Sequence, residues 1–460
     1  MKLSESHLPA MPSRFLPRAT LGLLLMVPAL PSTAALSLEE AVALAQRNDP
    51  WLAGSEFRQQ ALEAQSTAAG TLPDPVVSLG FANVPTDSFD FDQEAMTQVK
   101  VGVSQMFPRG DSRAINQKRL ALLGSQYPHQ RDERRAKVAV TIAHLWLEAF
   151  RAQETIRLID QDRELFEHLV DVAQSSYASA MGRTRQQDLV RAQLELTRLE
   201  DRLTVLHQRR DMSRAKLGEW LRAAPATDAA RGAIHSEATG PDLADSLPDI
   251  LLLQPESIDL SGSASAQQVA SLLRDHPAIL SLDRRIDASE AGVELAEQKY
   301  RPQWSVNASY GYREDDPMGD DRADFFSVGV AFDLPLFTSK RQDQQVQAAI
   351  AGAEALRTEK WLLLRKMVAS FETQRSQLAR LDQRRTLYRS RLLREMQEQA
   401  EASLTAYTND DGDFSEVVRA RIDGLNARIE ALDIEIDRLK TISQLNYFFA
   451  TGGESEGEPS

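Results

Sequence analysis

Residues 98–108 read Gln-Val-Lys-Val-Gly-Val-Ser-Gln-Met-Phe-Pro, and residues 325–335 read Phe-Phe-Ser-Val-Gly-Val-Ala-Phe-Asp-Leu-Pro. In the first, Val99, Val101 and Val103 alternate with Lys100, Gly102 and Ser104. In the second, Phe326, Val328, Val330 and Phe332 alternate with Ser327, Gly329, Ala331 and Asp333. Period two marks a strand with one apolar and one polar face. The two stretches share one offset of 227 residues with other landmarks: Asp49-Pro50 and His276-Pro277, Pro75 and Pro302, Gly102 and Gly329, Pro108 and Pro335. A register held over about sixty residues points to a duplicated architecture and not to a short solenoid unit.

Each copy carries a second alternating segment just upstream. Val77, Leu79 and Phe81 oppose Ser78, Gly80 and Ala82; Trp304, Val306, Ala308, Tyr310 and Tyr312 oppose Ser305, Asn307, Ser309 and Gly311. The expected strands are 76–84, 97–107, 303–313 and 325–334. An acidic loop joins the members of each pair, 85–96 with Asp87, Asp90, Asp92 and Glu94, and 314–324.

The rest of the chain reads as helix. Residues 36–69 form two helices broken at Asn48-Asp49-Pro50, since proline fits a helix start and not its interior. Residues 111 to about 181 are almost free of helix breakers apart from Pro128, and so are 338 to about 407; each stretch is roughly 100 Å long as a helix. Gly182 and Asn409-Asp410-Asp411-Gly412 turn these into hairpins. The returning helices carry heptad seams, Leu189, Ala192, Leu196, Leu199, Leu203 and Leu206, then Val418, Ile422, Leu425, Ile429, Leu432, Ile436 and Leu439. Residues 223–265, with Pro225, Pro241, Pro248 and Pro255, form a linker of weak periodicity, and 451–460 a polar, disordered tail.

The N-terminus reads as a secretory signal over 1–35: basic Lys2, Arg14 and Arg18, an apolar core too short to span a bilayer, and Ser32-Thr33-Ala34-Ala35 as cleavage site. There is no cysteine, which excludes disulfides, thiolate metal ligands and an acylated N-terminal anchor. The net charge of -14 argues against nucleic-acid binding.

Four half-apolar strands cannot close a barrel, and a spanning sheet must close because lipid offers its edges no partner. Bacterial outer-membrane barrels start at eight strands; three chains of four give twelve. On that reading Val77, Leu79, Phe81, Val99, Val101, Val103, Trp304, Tyr310, Tyr312, Phe326, Val328, Val330 and Phe332 face lipid. The alternative is a soluble two-hairpin domain with this face on a core. The seams likewise suit either hairpins walling a tube or an ordinary filled antiparallel coiled coil, as in a periplasmic adaptor.

Several landmarks carry a family resemblance: Leu38-Glu39-Glu40-Ala41, Asn48-Asp49-Pro50, Leu72-Pro73-Asp74-Pro75, Asp188-Leu189-Val190-Arg191-Ala192-Gln193 and Glu416-Val417-Val418-Arg419-Ala420. In this order the chain resembles the TolC family of outer-membrane efflux proteins over nearly its whole length. The resemblance implies a mainly α fold with a small membrane β part, built from two repeats, 36–222 and 266–450, with hairpins 111–221 and 338–448. It also implies a homotrimer forming a 12-stranded barrel and an α-helical tunnel, docked through a periplasmic adaptor (membrane fusion) protein to an inner-membrane pump. Residues 72–110, with Ser104-Gln105-Met106-Phe107-Pro108-Arg109-Gly110, look most like the branch serving heavy-metal resistance-nodulation-division (RND) pumps. Drug efflux and type I protein secretion remain alternatives for the duct.

No catalytic constellation stands out. The histidines show no His-Glu-x-x-His spacing, and there is neither a Walker-type loop nor Gly-x-Ser-x-Gly, so no enzyme, cofactor or metal site is expected. The residues of interest lie at the hairpin tips: Asp188, then Asp410, Asp411, Asp413 and Glu416. In the family the acidic residues after each tip lie near the periplasmic constriction, and Asp188 and Glu416 match them. Repeated around a threefold axis, such carboxylates would attract cations. In a first helical turn they also serve as caps. Arg419 stands where the family often has an acidic residue, and an ion pair from it would latch the tip.

Overall fold

The computed structural model describes residues 35–178, 185–222, 241–253, 266–409 and 412–451. The expected signal segment, Gly182, Asp410, Asp411, most of the linker and the tail beyond Thr451 lie outside these. All the elements fall within 36–460, which form one unit.

Ser37 opens α1 (Leu38–Asn48) with a full capping box to Glu40. Asp49 ends α1 and caps α2 (Pro50–Ala69), accepting from the Trp51 N–H. The strands are β1 (Val76–Ala82), β2 (Gln98–Phe107), β3 (Trp304–Tyr312) and β4 (Phe325–Phe332), slightly shorter than the alternation suggests. They form one antiparallel sheet in the order β1-β2-β3-β4, so the two hairpins of the duplicated units meet at the β2–β3 seam.

Between the hairpins run α3 (Ser112–Gly124), α4 (Gln126–Ala178), α5 (Gln186–Leu221), α6 (Ala266–Leu272) and α7 (Pro277–Glu297). After β4 come α8 (Gln342–Leu387), α9 (Leu393–Thr408) and α10 (Phe414–Tyr447). The single helix expected over 111–181 is two. Pro128 in the first turn of α4 lacks the N–H that would bond back to Gly124, so the ladder restarts there. The second long helix is also interrupted, by a π-turn over Tyr388–Leu392 that inserts without stopping it.

Helix order follows strand order. α2 leads into β1, β2 into α3, α7 into β3 and β4 into α8, and α2, α3, α7 and α8 pack side by side in that sequence. Within this layer α2 and α3 bury little, Ser55 and Ser66 of α2 and Gly124 of α3, whereas α7 buries Ile279, Leu282 and Ile286 and α8 buries Met367, Phe371 and Leu378. Three apolar cores hold the helices together. One gathers α1, α4 and α5 around Trp146, which is fully buried, stacks on Phe150 and donates to the Leu36 carbonyl at 3.0 Å. Ala replacing a Trp in such a place costs about 3–5 kcal/mol. A second holds α4, α5 and α10 together near the tips, and a third packs Met367, Phe371 and Leu378 of α8 on Ile442 and Leu445 of α10. Both seams are used. Ala192, Leu199, Leu203 and Leu206 are buried, as are Val418, Leu425, Ile429, Ile436 and Leu439.

The two copies differ at one helix start. Where Asp49 caps α2 and pairs with Arg134 at 2.7 Å, His276 caps α7. Its Nδ1 accepts from the Ala278 N–H at 3.2 Å and its Nε2 lies 3.1 Å from the Tyr447 carbonyl, to which it donates. The ring is 1% exposed, and burial holds its pKa below the ordinary 6.5. Glu133 opposes and Lys137 reinforces that depression. A proton on Nδ1 would remove the cap. A lowered folded-state pKa means that stability is complete above pH 6.5 and falls as the pH drops below it, because only the unfolded chain takes up the proton readily. In urea melts, moving from pH 7.5 to pH 5.5 should therefore destabilise the wild type more than His276→Asn, which keeps a neutral cap. Equal losses in the two proteins would exclude this role.

Candidate membrane-facing sheet and hairpin tips

The pairing register sorts every strand residue by face. Val77 pairs with Val103, Leu79 with Val101 and Phe81 with Val99; Val101 pairs with Tyr310 and Val99 with Tyr312; Tyr310 pairs with Phe326, Ala308 with Val328 and Trp304 with Phe332. All thirteen residues assigned to the apolar face thus stand on one side of one sheet. Twelve are exposed, from Trp304 at 43% to Leu79 and Phe326 at 72%, and Val99 is half-buried. Phe91 of the first acidic loop packs edge-on against Phe81, ring centroids 5.5 Å apart, and the other exposed residues of this face stay open among the described residues. An apolar surface exposed to this extent marks an interaction surface, and among the described residues it does not lie on a core.

The other face is small and polar. Ser104 Oγ donates to Asn307 Oδ1 at 2.8 Å across the β2–β3 seam. Gly102 is buried, and a Cβ there would lie 2.8 Å from the Ser78 hydroxyl, so glycine keeps the polar face flat where two strands cross it. At the end of the sheet that meets the helices, Arg109 pairs with Asp333 and donates to the Arg301 carbonyl at 2.6 Å; Asp333 also accepts from the Gln303 N–H at 2.7 Å. At the far end, Arg322 donates to the Asp92 carbonyl at 3.0 Å and Arg313 to that of Ala95 at 2.9 Å, locking the two acidic loops together. The N–H groups of Asp320 and Met318 hold the Asp316 carboxyl below its usual pKa. Sequence reading missed the clamps of Arg109, Arg313 and Arg322, which join residues 192 to 230 positions apart. The one hint was that Arg109 has leucine, Leu336, as its repeat counterpart.

The tips separate two carboxylates that look alike in sequence. Asp188 and Glu416 occupy the same third position of α5 and α10. Asp188 is 7% exposed, and its Oδ2 accepts from the Arg185 N–H at 3.0 Å. At the other tip Asp413 takes the cap, accepting from the Ser415 N–H at 3.2 Å, and leaves Glu416 exposed. Phe414 is buried beneath them against Tyr407, ring centroids 5.5 Å apart. Arg419 is exposed and makes no ion pair among the described residues, and the tip carboxylates Asp410 and Asp411 lie outside them.

No helix among the described residues is long and apolar enough to cross a membrane, which bears on helices alone and not on strands. No protein-family model matches the chain, and no curated protein does. Solved structures do. The chain is similar to the Campylobacter jejuni CmeC outer membrane channel (TM-score 0.70, 14% identity, 92% of this chain and 87% of that one). It is similar to the outer-membrane channel OprN (0.69, 15%, 90% of each). It is likewise similar to CusC, which forms a transmembrane channel (0.69, 12%, 89% of this chain and 91% of that one). The mainly helical fold with a four-stranded antiparallel sheet is the fold of these TolC-like channels.

Proposed function

We propose that this protein is the outer-membrane exit duct of a tripartite efflux system. The observation that carries the reading is the sheet: one continuous apolar face lies exposed, and β1 and β4 present open edges. In hydrocarbon such edges must be paired. Pairing β1 of one copy with β4 of the next closes twelve strands around three chains, within the range of bacterial barrels. The polar face then lines a lumen, and α2, α3, α7 and α8, continuing the strands in the same order, wall a helical tunnel below it in the periplasm. The channels sharing the fold support this placement.

The duct is passive. The pump it serves is of the RND class, reached through a periplasmic adaptor that docks at the tips, and its cargo is heavy-metal cations. These finer assignments rest on the resemblance of residues 72–110 to the heavy-metal branch. Exposed Glu416, repeated three times around the axis with Asp413, and with Asp410 and Asp411 just before it in sequence, gives a cation-attracting rim. Asp188 supports that rim as a cap, and Arg419 faces a neighbouring copy or the adaptor.

The purified protein should run as a trimer in detergent and fractionate with the outer membrane. A monodisperse, water-soluble monomer of the mature chain, seen by light scattering, overturns the assignment.

The facing of the strands has its own test. Val328→Asp puts a charge in hydrocarbon, at a cost of a few kcal/mol depending on depth, whereas Ser327→Asp puts one in water. Assembled trimer should fall sharply for the first and persist for the second; equal yields would invert or abolish the facing.

At the tips, the two carboxylates should part company. Glu416→Gln should weaken cation selectivity and divalent-cation block in planar-bilayer recordings while the melting temperature holds. Asp188→Asn should lower the stability of the start of α5 by about 1 kcal/mol, read by amide exchange, with a smaller change in conductance. Unaltered selectivity and block in Glu416→Gln would remove it from the constriction.

A further inference from the structure

The segment joining β4 to α8 leaves three large apolar side chains in the open. Leu334 is 61% exposed, Leu336 71% and Phe337 88%. The Leu336 N–H donates to the Leu334 carbonyl at 2.9 Å, so a tight turn around Pro335 holds the segment in shape. A water-facing turn gains nothing from this surface.

The duplication supplies an internal control. At the 227-residue offset, the slot of Leu336-Phe337 is filled in the first copy by Arg109-Gly110. There the arginine is tied to Asp333 and the Arg301 carbonyl. Gly110 takes φ +43°, and an added Cβ would lie 2.4 Å from the side chains of Arg301 and Gln298. The joint between strand and helix can therefore be built from a polar, anchored pair. The apolar filling in the second copy is no demand of the fold.

Position says what covers it. In sequence, Leu334 and Leu336 follow at the even positions after Phe326, Val328, Val330 and Phe332, just beyond the end of β4. They follow directly on a row of aromatic rings, Phe107, Trp304 and Phe332, which crosses β2, β3 and β4 at the end of the sheet nearest the helices. Lys340 and Arg341 come next, both exposed. Apolar surface, then an aromatic row, then free cations is the order met on passing from acyl chains to phosphate. Length agrees. Trp304 to Tyr312 spans about 26 Å along the strand. At barrel tilts that is roughly 20 Å of depth, against an apolar band of about 25 Å. The segment after β4 extends the apolar surface at the end nearest the helices.

We propose that residues 334–337 form a lipid-immersed foot. Leu334, Leu336 and Phe337 seat among phospholipid acyl chains at the helix-side surface of the bilayer, and Lys340 and Arg341 contact the phosphate groups. This rests on the reading of the sheet as part of a membrane barrel, and the test separates the two.

The chain has no cysteine, so Phe337→Cys and Leu336→Cys each accept one nitroxide label. The labelled trimer is reconstituted into phosphatidylethanolamine–phosphatidylglycerol bilayers. Collisions with molecular oxygen and with a neutral nickel chelate are then measured by electron paramagnetic resonance, with Val330→Cys as the reference on the sheet face. The foot requires high oxygen and low nickel accessibility at both positions, as at Val330. High nickel accessibility at 336 and 337 with Val330 in lipid overturns the foot and spares the barrel. Low accessibility to both reagents also overturns it, because the segment is then packed on a second copy. Nickel access at Val330 itself defeats the barrel and the foot together.

Discussion

A sheet with one apolar face uncovered and both edges open is an unfinished object, and this constraint governs the rest of the molecule. Each edge N–H and C=O left without a partner in hydrocarbon costs several kcal/mol, and the exposed Val, Leu and Phe side chains have no place in water. Neither solvent suits four strands alone. The helices below inherit the problem, because each strand runs directly into one of them in the same lateral order. The first two helices of that layer, α2 and α3, bury only a few small side chains. The sheet and the layer beneath it are half-structures of the same kind, and a solution for one fixes the spacing of the other. The Arg109–Asp333 pair sits where they join and ties the first unit to the second there.

Much of this was readable from the chain. Alternation found the strands and their faces, since period two leaves no ambiguity when one face is so uniformly apolar. The heptad positions found the buried stripes. What escaped depends on information that local pattern does not hold. Pro128 was visible, yet whether it starts a helix or kinks one depends on which carbonyl it abandons; here it is that of Gly124. His276 is an unusual cap, and only its place opposite the Tyr447 carbonyl, at the far end of the chain, shows why a neutral ring serves. The loop clamps of Arg313 and Arg322 reach backbone carbonyls, which carry no sequence signature at all. At the tips, Asp188 and Glu416 share a position in their helices. What separates them is the residue three places earlier: Asp413 can cap its helix by itself, and Arg185 cannot.

Duplication makes such differences informative. Two copies of one architecture face the same local demands, so a residue that differs between them is free of the demand at that slot. Asp49 and His276 meet one requirement, a helix start, by opposite chemistry: a charged acceptor paired with Arg134, and a buried neutral ring. Asp188 and Glu416 begin from one requirement and diverge, the first into the cap and the second into solvent. Comparison within one chain thus separates what the fold needs from what the site needs, without any second sequence.

The helix α10 shows how the parts are held in common. Phe414, Val417 and Val418 lie in the core near the tips, Ile436 and Leu439 in the core around Trp146, and Ile442 and Leu445 in the core with Phe371. One helix threads all three clusters, and its flanks are ion-paired in opposite directions: Asp433 with Arg151 of α4 at 3.3 Å, and Arg438 with Asp382 of α8 at 2.6 Å. Each pair is partly exposed and contributes at most about 1 kcal/mol. The apolar rows are the stronger bond, because close-packed side chains resist sliding and a helix cannot shorten to absorb it. A shift of the tip core along α10 must therefore either carry the middle cluster with it or bend the helix between Ile429 and Ile436. The ion pairs set the cost of the second choice, and packing around Trp146 sets the cost of the first.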